Sequence, residues 1–253
     1  MSNTIIVLVI LATAVGLIFF GFRRIHLQRK PGLEGIEDPK AAAAYDRISR
    51  WPQFCLLRHM VARKIARCQP MGILADIGCG PGRLTALIAQ RHPALRIIGV
   101  DAADEMIQTA ISYVSSQGIS CQVEFRLGDV VELPVADNTV DFAVSTLSLH
   151  HWSDPIRALH EIYRILKPGG QFLLFDLRRD SPLFFYWLLR FAQGVIVPAD
   201  LRRINEPLTS LLSSYTQSEL QDLFIQLPFK DWKIEGGWVW AFVWAAKAAP
   251  QAA

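Results

Sequence analysis

Between Ile73 and Asp176 the chain repeats one pattern: a short apolar run, a turn, then a stretch with helical spacing. ILADI, RIIGV, QVEFRL, TVDFAVSTL and GQFLLFDL read as strands, and RLTALIAQRH, DEMIQTAISYVSS and DPIRALHEIYRIL as helices. Strands returning through helical crossovers build a mostly parallel sheet with helices on both faces, so the chain is α/β. The local punctuation agrees. Asp154 before Pro155 is an N-cap with proline at the first helical position, and Lys167-Pro168-Gly169-Gly170 stops that helix. Thr216 and Glu219 have the capping-box spacing and open a later helix. DWKIE and WVWAFVWAA are parted only by Gly236-Gly237, which allows nothing but an antiparallel hairpin at the end of the sheet. Upstream, helical spacing runs from about Ala41 to Arg67 with one break near Trp51-Pro52.

With 253 residues the chain can bury a full core without staples. Cys55, Cys68, Cys79 and Cys121 lie far apart, with no CxxC and no Cys/His pair at ligand spacing. That pattern fits a reduced environment and leaves no metal site to expect. A net charge of +3, dispersed along the chain, excludes a nucleic-acid-binding role.

ADIGCGPG (Ala75–Gly82) lies where the first strand gives way to a helix. Glycines there let the backbone approach a ligand closely, and the helix N-terminus behind them favours polar or anionic groups. Asp101 ends the next strand, 21 residues after Gly80, where nucleotide-binding α/β folds place a carboxylate for ribose hydroxyls. An adenosine-like ligand follows. The spacing Gly78, Gly80, Gly82 is G-x-G-x-G rather than the dinucleotide G-x-G-x-x-G, and Asp76 beside it would oppose a pyrophosphate. A cationic ligand suits that carboxylate better.

LADIGCGPG, IGVDAADEM, GDVVELPVADNTVDFAVSTLSLHHWSDP and RILKPGG resemble, in order, the motifs of class I S-adenosylmethionine-dependent methyltransferases. The resemblance is to the small-molecule group that includes quinone and lipid methyltransferases, and covers about Tyr45 to Asp176. It implies a Rossmann-like, seven-stranded, mostly parallel sheet with the terminal antiparallel hairpin, and S-adenosyl-L-methionine as cofactor. It further implies that Asp76, Gly78, Gly80 and Gly82 line the methionine half, and that Asp101 takes the ribose hydroxyls. Ala102 and Met106 would flank the adenine, Asp129 with Val130 would meet its amino edge, and Tyr45 would close over the cofactor.

Methyl transfer from a sulfonium is an in-line displacement, so the protein contributes mostly orientation and, for an acidic acceptor, a general base. His150 and His151 follow the fourth strand at the carboxyl edge where ligands bind, and either is a candidate base. The bland alternative is that one caps a loop or touches the cofactor. Quinone C-methyltransferases usually carry a Gly-Leu-Arg-Asn type sequence where this chain reads Ser148-Leu149-His150-His151.

Leu183 to Val197 is apolar and aromatic apart from Arg190, Gln193 and Gly194. It reads as a lid over an apolar acceptor, as a helix lying on a bilayer, or as a buried core helix. Trp238, Trp240, Phe242 and Trp244 alternate along the last strand and are expected in the core.

The run Ile5–Phe22 holds no charged residue. No Lys or Arg precedes it, which excludes a signal peptide, and its 18 residues would span about 27 Å as a helix, near the thickness of a bilayer core. Arg23, Arg24, Arg29 and Lys30 all follow it, so the positive-inside rule puts the rest of the chain in the cytoplasm. The expected organisation is a transmembrane helix over 1–22, a basic juxtamembrane linker over 23–40, and a methyltransferase domain over 41–248 with an insertion at about 181–214. The expected activity is methylation of a small lipophilic acceptor by a single-pass, membrane-anchored enzyme. A tethered module that binds the cofactor without turnover and a protein methyltransferase are the alternatives.

Overall fold

The computed structural model describes residues 21–24, 27–30 and 38–249. Two helices, α1 (Pro39–Ser49) and α2 (Pro52–Arg67), precede the sheet. Asp38 caps α1 by accepting from the Lys40 N–H at 2.9 Å. The break between them falls at Trp51-Pro52, because proline has no N–H with which to continue a helix but sits well in a first turn.

There follow β1 (Ile73–Ile77), α3 (Arg83–Arg91), β2 (Arg96–Asp101), α4 (Asp104–Ser116), β3 (Val123–Leu127) and β4 (Val140–Thr146). A 3-10 turn (Leu149–His151) leads to α5 (Pro155–Ile165) and β5 (Leu166–Leu177). The insertion holds α6 (Leu183–Val195), α7 (Ala199–Arg203) and α8 (Leu208–Ser213), and the chain closes with α9 (Gln217–Ile225), β6 (Asp231–Gly236) and β7 (Trp240–Ala246). Both expected caps form: Asp154 accepts from the Arg157 N–H, and Thr216 and Glu219 bond reciprocally.

The sheet has seven strands in the order β3-β2-β1-β4-β5-β7-β6, with β7 antiparallel to both its neighbours. From β1 the chain winds one way to β2 and β3, then returns to β4 on the other side. That reversal opens a crevice at the carboxyl ends of β1 and β4. Alternate strand residues feed opposite core layers: Leu74 packs with Val61, Ile65 and Phe175, whereas Ala75 and Ile77 pack on the side of Leu159, Ile162 and Phe224.

Three expectations need amendment. Lys167-Pro168-Gly169-Gly170 ends α5 but also loops out of β5: the register passes from Val140 opposite Leu166 to Phe142 opposite Gln171. The Lys167 ammonium, 2.8 Å from both Asp141 oxygens, pins that bulge. The aromatic alternation splits. Trp240, Phe242 and Trp244 pack into the core beside α2, but Trp238 lies in the turn before β7 and is 67% exposed. It leaves the strand because Gly237 donates to the Trp240 carbonyl at 2.7 Å and turns the chain there.

The third concerns the N-terminal side. The transmembrane expectation over 1–22 lies, except for Gly21 and Phe22, outside the described residues; among the described residues no helix is long and apolar enough to cross a membrane. Residues 23–30, read as the start of a linker, hold to the domain where they are described. Arg24 donates to the Asp180 carbonyl at 2.8 Å, and the Leu183 N–H to the Arg23 carbonyl at 2.9 Å. Arg29 donates to the Ser213 carbonyl at 2.8 Å and lies 4.1 Å over the Tyr215 ring. Buried Arg179 gathers the carbonyls of Leu27 and Ser214 and the Glu219 carboxylate.

Candidate active site

Past Ile77 the backbone turns through Gly78, Gly80 and Gly82, all at positive φ (71°, 53° and 69°). The turn is held to the sheet by the N–H groups of Gly78 and Cys79, both donating to the Val100 carbonyl. A Cβ on Gly78 would lie 2.3 Å from the Ser148 hydroxyl, so the loop from β4 rests directly on this glycine. A Cβ on Gly80 would meet no heavy atom within 4 Å, which makes Gly80 an open place on the cleft floor. Gly82 opens α3 without a side-chain cap, leaving N–H groups of the first turn available to a ligand.

Asp101 ties the loop to β2, accepting from the Gly80 N–H at 2.8 Å with one oxygen and from the Ala103 N–H at 3.0 Å with the other. Each carboxylate oxygen has about two acceptor positions, so both keep one for hydroxyls of a ligand. Burial pushes the Asp101 carboxyl above the usual range, against hydrogen bonds from the backbone of Ala103, Gly80 and Ala102. Asp76 is 1% exposed and accepts from the Thr85 hydroxyl at 2.6 Å. Burial raises its pKa to about 6, Thr85 opposes the rise, and Asp101 adds to it. A positive ligand group beside Asp76 would return the carboxylate to its charged form.

Tyr45 on α1, Asp76, Gly78, Gly80, Thr146 and Leu147 all line one cleft. The buried Thr146 hydroxyl has no hydrogen-bond partner within the described residues, which leaves it for a ligand. Met106 is buried with Ala42 and Ala103 beside Tyr45, while Ala102 is exposed at the rim. Asp129 is exposed just after β3, where it accepts from the Val131 N–H, and Val130 packs against the main core. Neither of these two lines the cleft; they follow β3, the strand that neighbours β2.

Across the crevice the 3-10 turn places His150 in the interior, 2% exposed. Its Nδ1 lies 2.7 Å from Asp176 Oδ1, and its backbone N–H donates to Oδ2 at 3.1 Å. Burial works against a charged ring, but the Asp176 carboxylate outweighs it, and the His150 pKa stands above the ordinary histidine value. Asp176 and Glu206 both act electrostatically on His150 and on the Tyr45 phenol, which burial first, then Glu206 and Asp101, push up to about 12. The same two carboxylates thus act on both rings. His151 is half-buried, its ring centroid 4.2 Å from that of His150.

A family model described as a methyltransferase domain matches residues 75–174. The demethylmenaquinone methyltransferase of Symbiobacterium thermophilum is 29% identical over 174 residues, 64% of this chain and 69% of that one. The chloroplastic 2-phytyl-1,4-beta-naphthoquinone methyltransferase of Arabidopsis thaliana is 28% identical over 180 residues, 65% of this chain and 67% of that one. Three other relatives share only 44%, 30% and 26% of their own length with the chain. The chain is an S-adenosylmethionine-dependent methyltransferase. Solved structures share its fold: a SAM-dependent methyltransferase from Aquifex aeolicus (TM-score 0.61, 20% identity, 83% of this chain and 98% of that one) and the plantazolicin methyltransferase BpumL bound to an analogue and to SAH (TM-score 0.64, 18%, 83% and 92%).

Two carboxylates of this methyltransferase, Asp176 and Glu206, lie outside the sequence motifs. Asp176 carried a signal, being the lone charge at the carboxyl end of the apolar run GQFLLFDL. Glu206 carried none; it sits in an irregular stretch between α7 and α8, and only packing brings it near His150. The apolar insertion also divides. Val197 and Leu201 bury themselves against Ala41, Ala44 and Ile48 of α1, and α8 packs on the 3-10 turn. No residue of α6 is buried, which rules out the core-helix reading of that stretch.

Proposed function

We propose that the chain methylates a small, lipophilic, quinone-type acceptor while anchored in a membrane by its N-terminal apolar run, with the domain on the cytoplasmic side. The observation that carries the chemical part is the buried His150–Asp176 pair at the carboxyl ends of β4 and β5. Quinol rings are phenols, and a phenol becomes a carbon or oxygen nucleophile when its proton leaves. Asp176 holds the proton on Nδ1, which keeps Nε2 of neutral His150 as the acceptor for that proton.

S-adenosylmethionine supplies the electrophilic methyl group. Asp76 and the backbone of Gly78, Gly80 and Gly82 would hold its methionine half, and Asp101 would take the ribose hydroxyls. Ala102 and Met106 would flank the adenine, Asp129 and Val130 would meet its amino edge, and Tyr45 would close the cleft. The stretch carrying Val197, Leu201 and Glu206 covers the acceptor and keeps water out. Orientation in such a site accounts for about 7–11 kcal/mol of barrier lowering, and a positioned base for a further 10²–10⁴-fold, roughly.

The quinone part is supported by the names of the relatives from Symbiobacterium thermophilum and Arabidopsis thaliana. The anchor is supported by the uncharged run Ile5–Phe22 and by the basic residues that follow it. The test is turnover by the purified full chain with labelled cofactor and a panel of demethylated quinols, catechols and amines. Transfer to quinols that His150→Gln lowers at least about 100-fold supports the reading. Transfer only to amines, or a rate unchanged in the variant, would reject it.

A further inference from the structure

Five apolar residues of α6 lie exposed on one stripe: Phe184, Trp187, Leu188, Phe191 and Val195, at spacings of three or four. Phe184, Trp187 and Phe191 are 57%, 56% and 61% exposed. Exposed apolar residues are ordinary when scattered, but a helix with a continuous aromatic stripe and no buried residue is not.

The stripe extends beyond the helix. A Cβ on Gly21 would stand 3.7 Å from the Phe184 Cβ, and the next residue, Phe22, packs edge-on to Trp238 with ring centroids 5.2 Å apart. Both of those rings are themselves exposed. Around the stripe the exposed charges are mainly cationic: Arg23, Arg24, Arg190, Arg202 and Arg203. The nearby acids are paired, Asp180 with Arg178 at 2.6 Å and Asp200 with Arg203 at 3.7 Å.

Three occupants fit an apolar face of this kind: a second copy of the chain, the chain's own residues 1–20, or a lipid surface. The position of the N-terminal run decides among them. Sixteen or so uncharged, apolar residues join the described structure at Gly21, at the edge of the stripe. Whatever phase holds that run is thus the phase that meets α6. A cationic rim matches anionic headgroups, and two tryptophans with polar N–H groups suit the level between headgroup and acyl chain. A second copy would bring a like-charged rim against its own.

We infer that the α6 face, with Phe22 and Trp238, docks in the headgroup–acyl boundary of an anionic bilayer, as a second lipid contact lying flat beside the anchor. This rests on the membrane-anchored reading above. It gives the acceptor pocket a fixed height over the membrane, so a lipophilic acceptor reaches His150 without crossing water.

The chain's seven tryptophans include none in residues 1–20, so their fluorescence reports the domain alone. The full chain would be reconstituted in phosphatidylcholine–phosphatidylglycerol vesicles with brominated acyl chains, floated on a density gradient, and its emission read. The expected result is flotation with quenching that is stronger for bromine near the headgroup than near the chain end. The W187F/W238F variant, checked for an unchanged melting temperature, should lose more than half of the quenched amplitude. A chain that floats but whose quenching is the same in wild type and variant overturns the α6 proposal and leaves the anchor standing. A chain that does not float overturns both.

Discussion

The imidazole Nδ1 of His150 lies 2.7 Å from Asp176 Oδ1, with both groups almost wholly buried. The turn after β4 is thereby joined to the end of β5. If His150 is the base, it acts as the neutral ring, so the rate rises with pH as the ring loses its proton. Because the His150 pKa is raised, the midpoint of that rise lies above the ordinary histidine value. Asp176→Asn removes the opposing charge and leaves burial, so the midpoint should move down in pH while kcat falls by about 10²–10⁴-fold. A profile with an unmoved midpoint would separate His150 from the proton transfer.

Asp76 gives a second pH signature. Its folded pKa of about 6 exceeds the ordinary 3.8, so the group's contribution to stability is fully present below the lower value and is lost as pH rises through about 6. The cofactor-free chain should lose on the order of 2–3 kcal/mol from this group over that window. Asp76→Asn should remove the loss and raise the denaturation midpoint at pH 7, while weakening S-adenosylmethionine binding at least about tenfold. In the wild type, affinity should fall as pH drops below about 6, whereas methylthioadenosine, which lacks the amino-acid part, should show no such trend. Equal pH dependence for the two ligands would place Asp76 away from the methionine half.

The glycines separate strain from contact. Gly82→Ala puts a Cβ 2.8 Å from the Ala110 Cβ at a φ of 69°, and should cost about 1–3 kcal/mol in chemical denaturation. Gly80→Ala meets nothing, so its cost should be only the roughly 1–2 kcal/mol of left-handed backbone. Calorimetry should nevertheless find cofactor affinity hurt more by Gly80→Ala, because its methyl group enters the cleft. Loss of stability without loss of affinity at Gly80 would move the binding surface elsewhere.

Arg179 tests the strap. Its guanidinium is buried and serves the Leu27 and Ser214 carbonyls and Glu219 together. Arg179→Met should destabilise the full chain by on the order of 3 kcal/mol, read as a shift in denaturation midpoint, by stranding those acceptors. A change below about 1 kcal/mol would mean that residues 27–30 are held otherwise.

The sheet and its helices were legible because each rests on local period and punctuation: ILADI alternates inward on both faces, and Thr216 with Glu219 closes a cap within one turn. The glycine loop and Asp101 were legible for the same reason, since a fixed crossover length brings them together. Asp176, Glu206 and Trp238 were not. Asp176 meets His150 across two strands, and Glu206 reaches the site only through packing of α7 on α1. Trp238 keeps the parity of a strand residue, yet a turn held by Gly237 lifts it out. The exposure of α6 was equally hidden, because an apolar helix in a core and one on a surface have the same letters.

Methyl transfer to a membrane-held, lipophilic acceptor is tested most directly with membranes bearing the full chain, incubated with methyl-labelled S-adenosylmethionine and then separated into lipid extract, protein and aqueous phases. Label is expected in the lipid extract and should disappear with His150→Gln. Label confined to protein or to water-soluble products would contradict it.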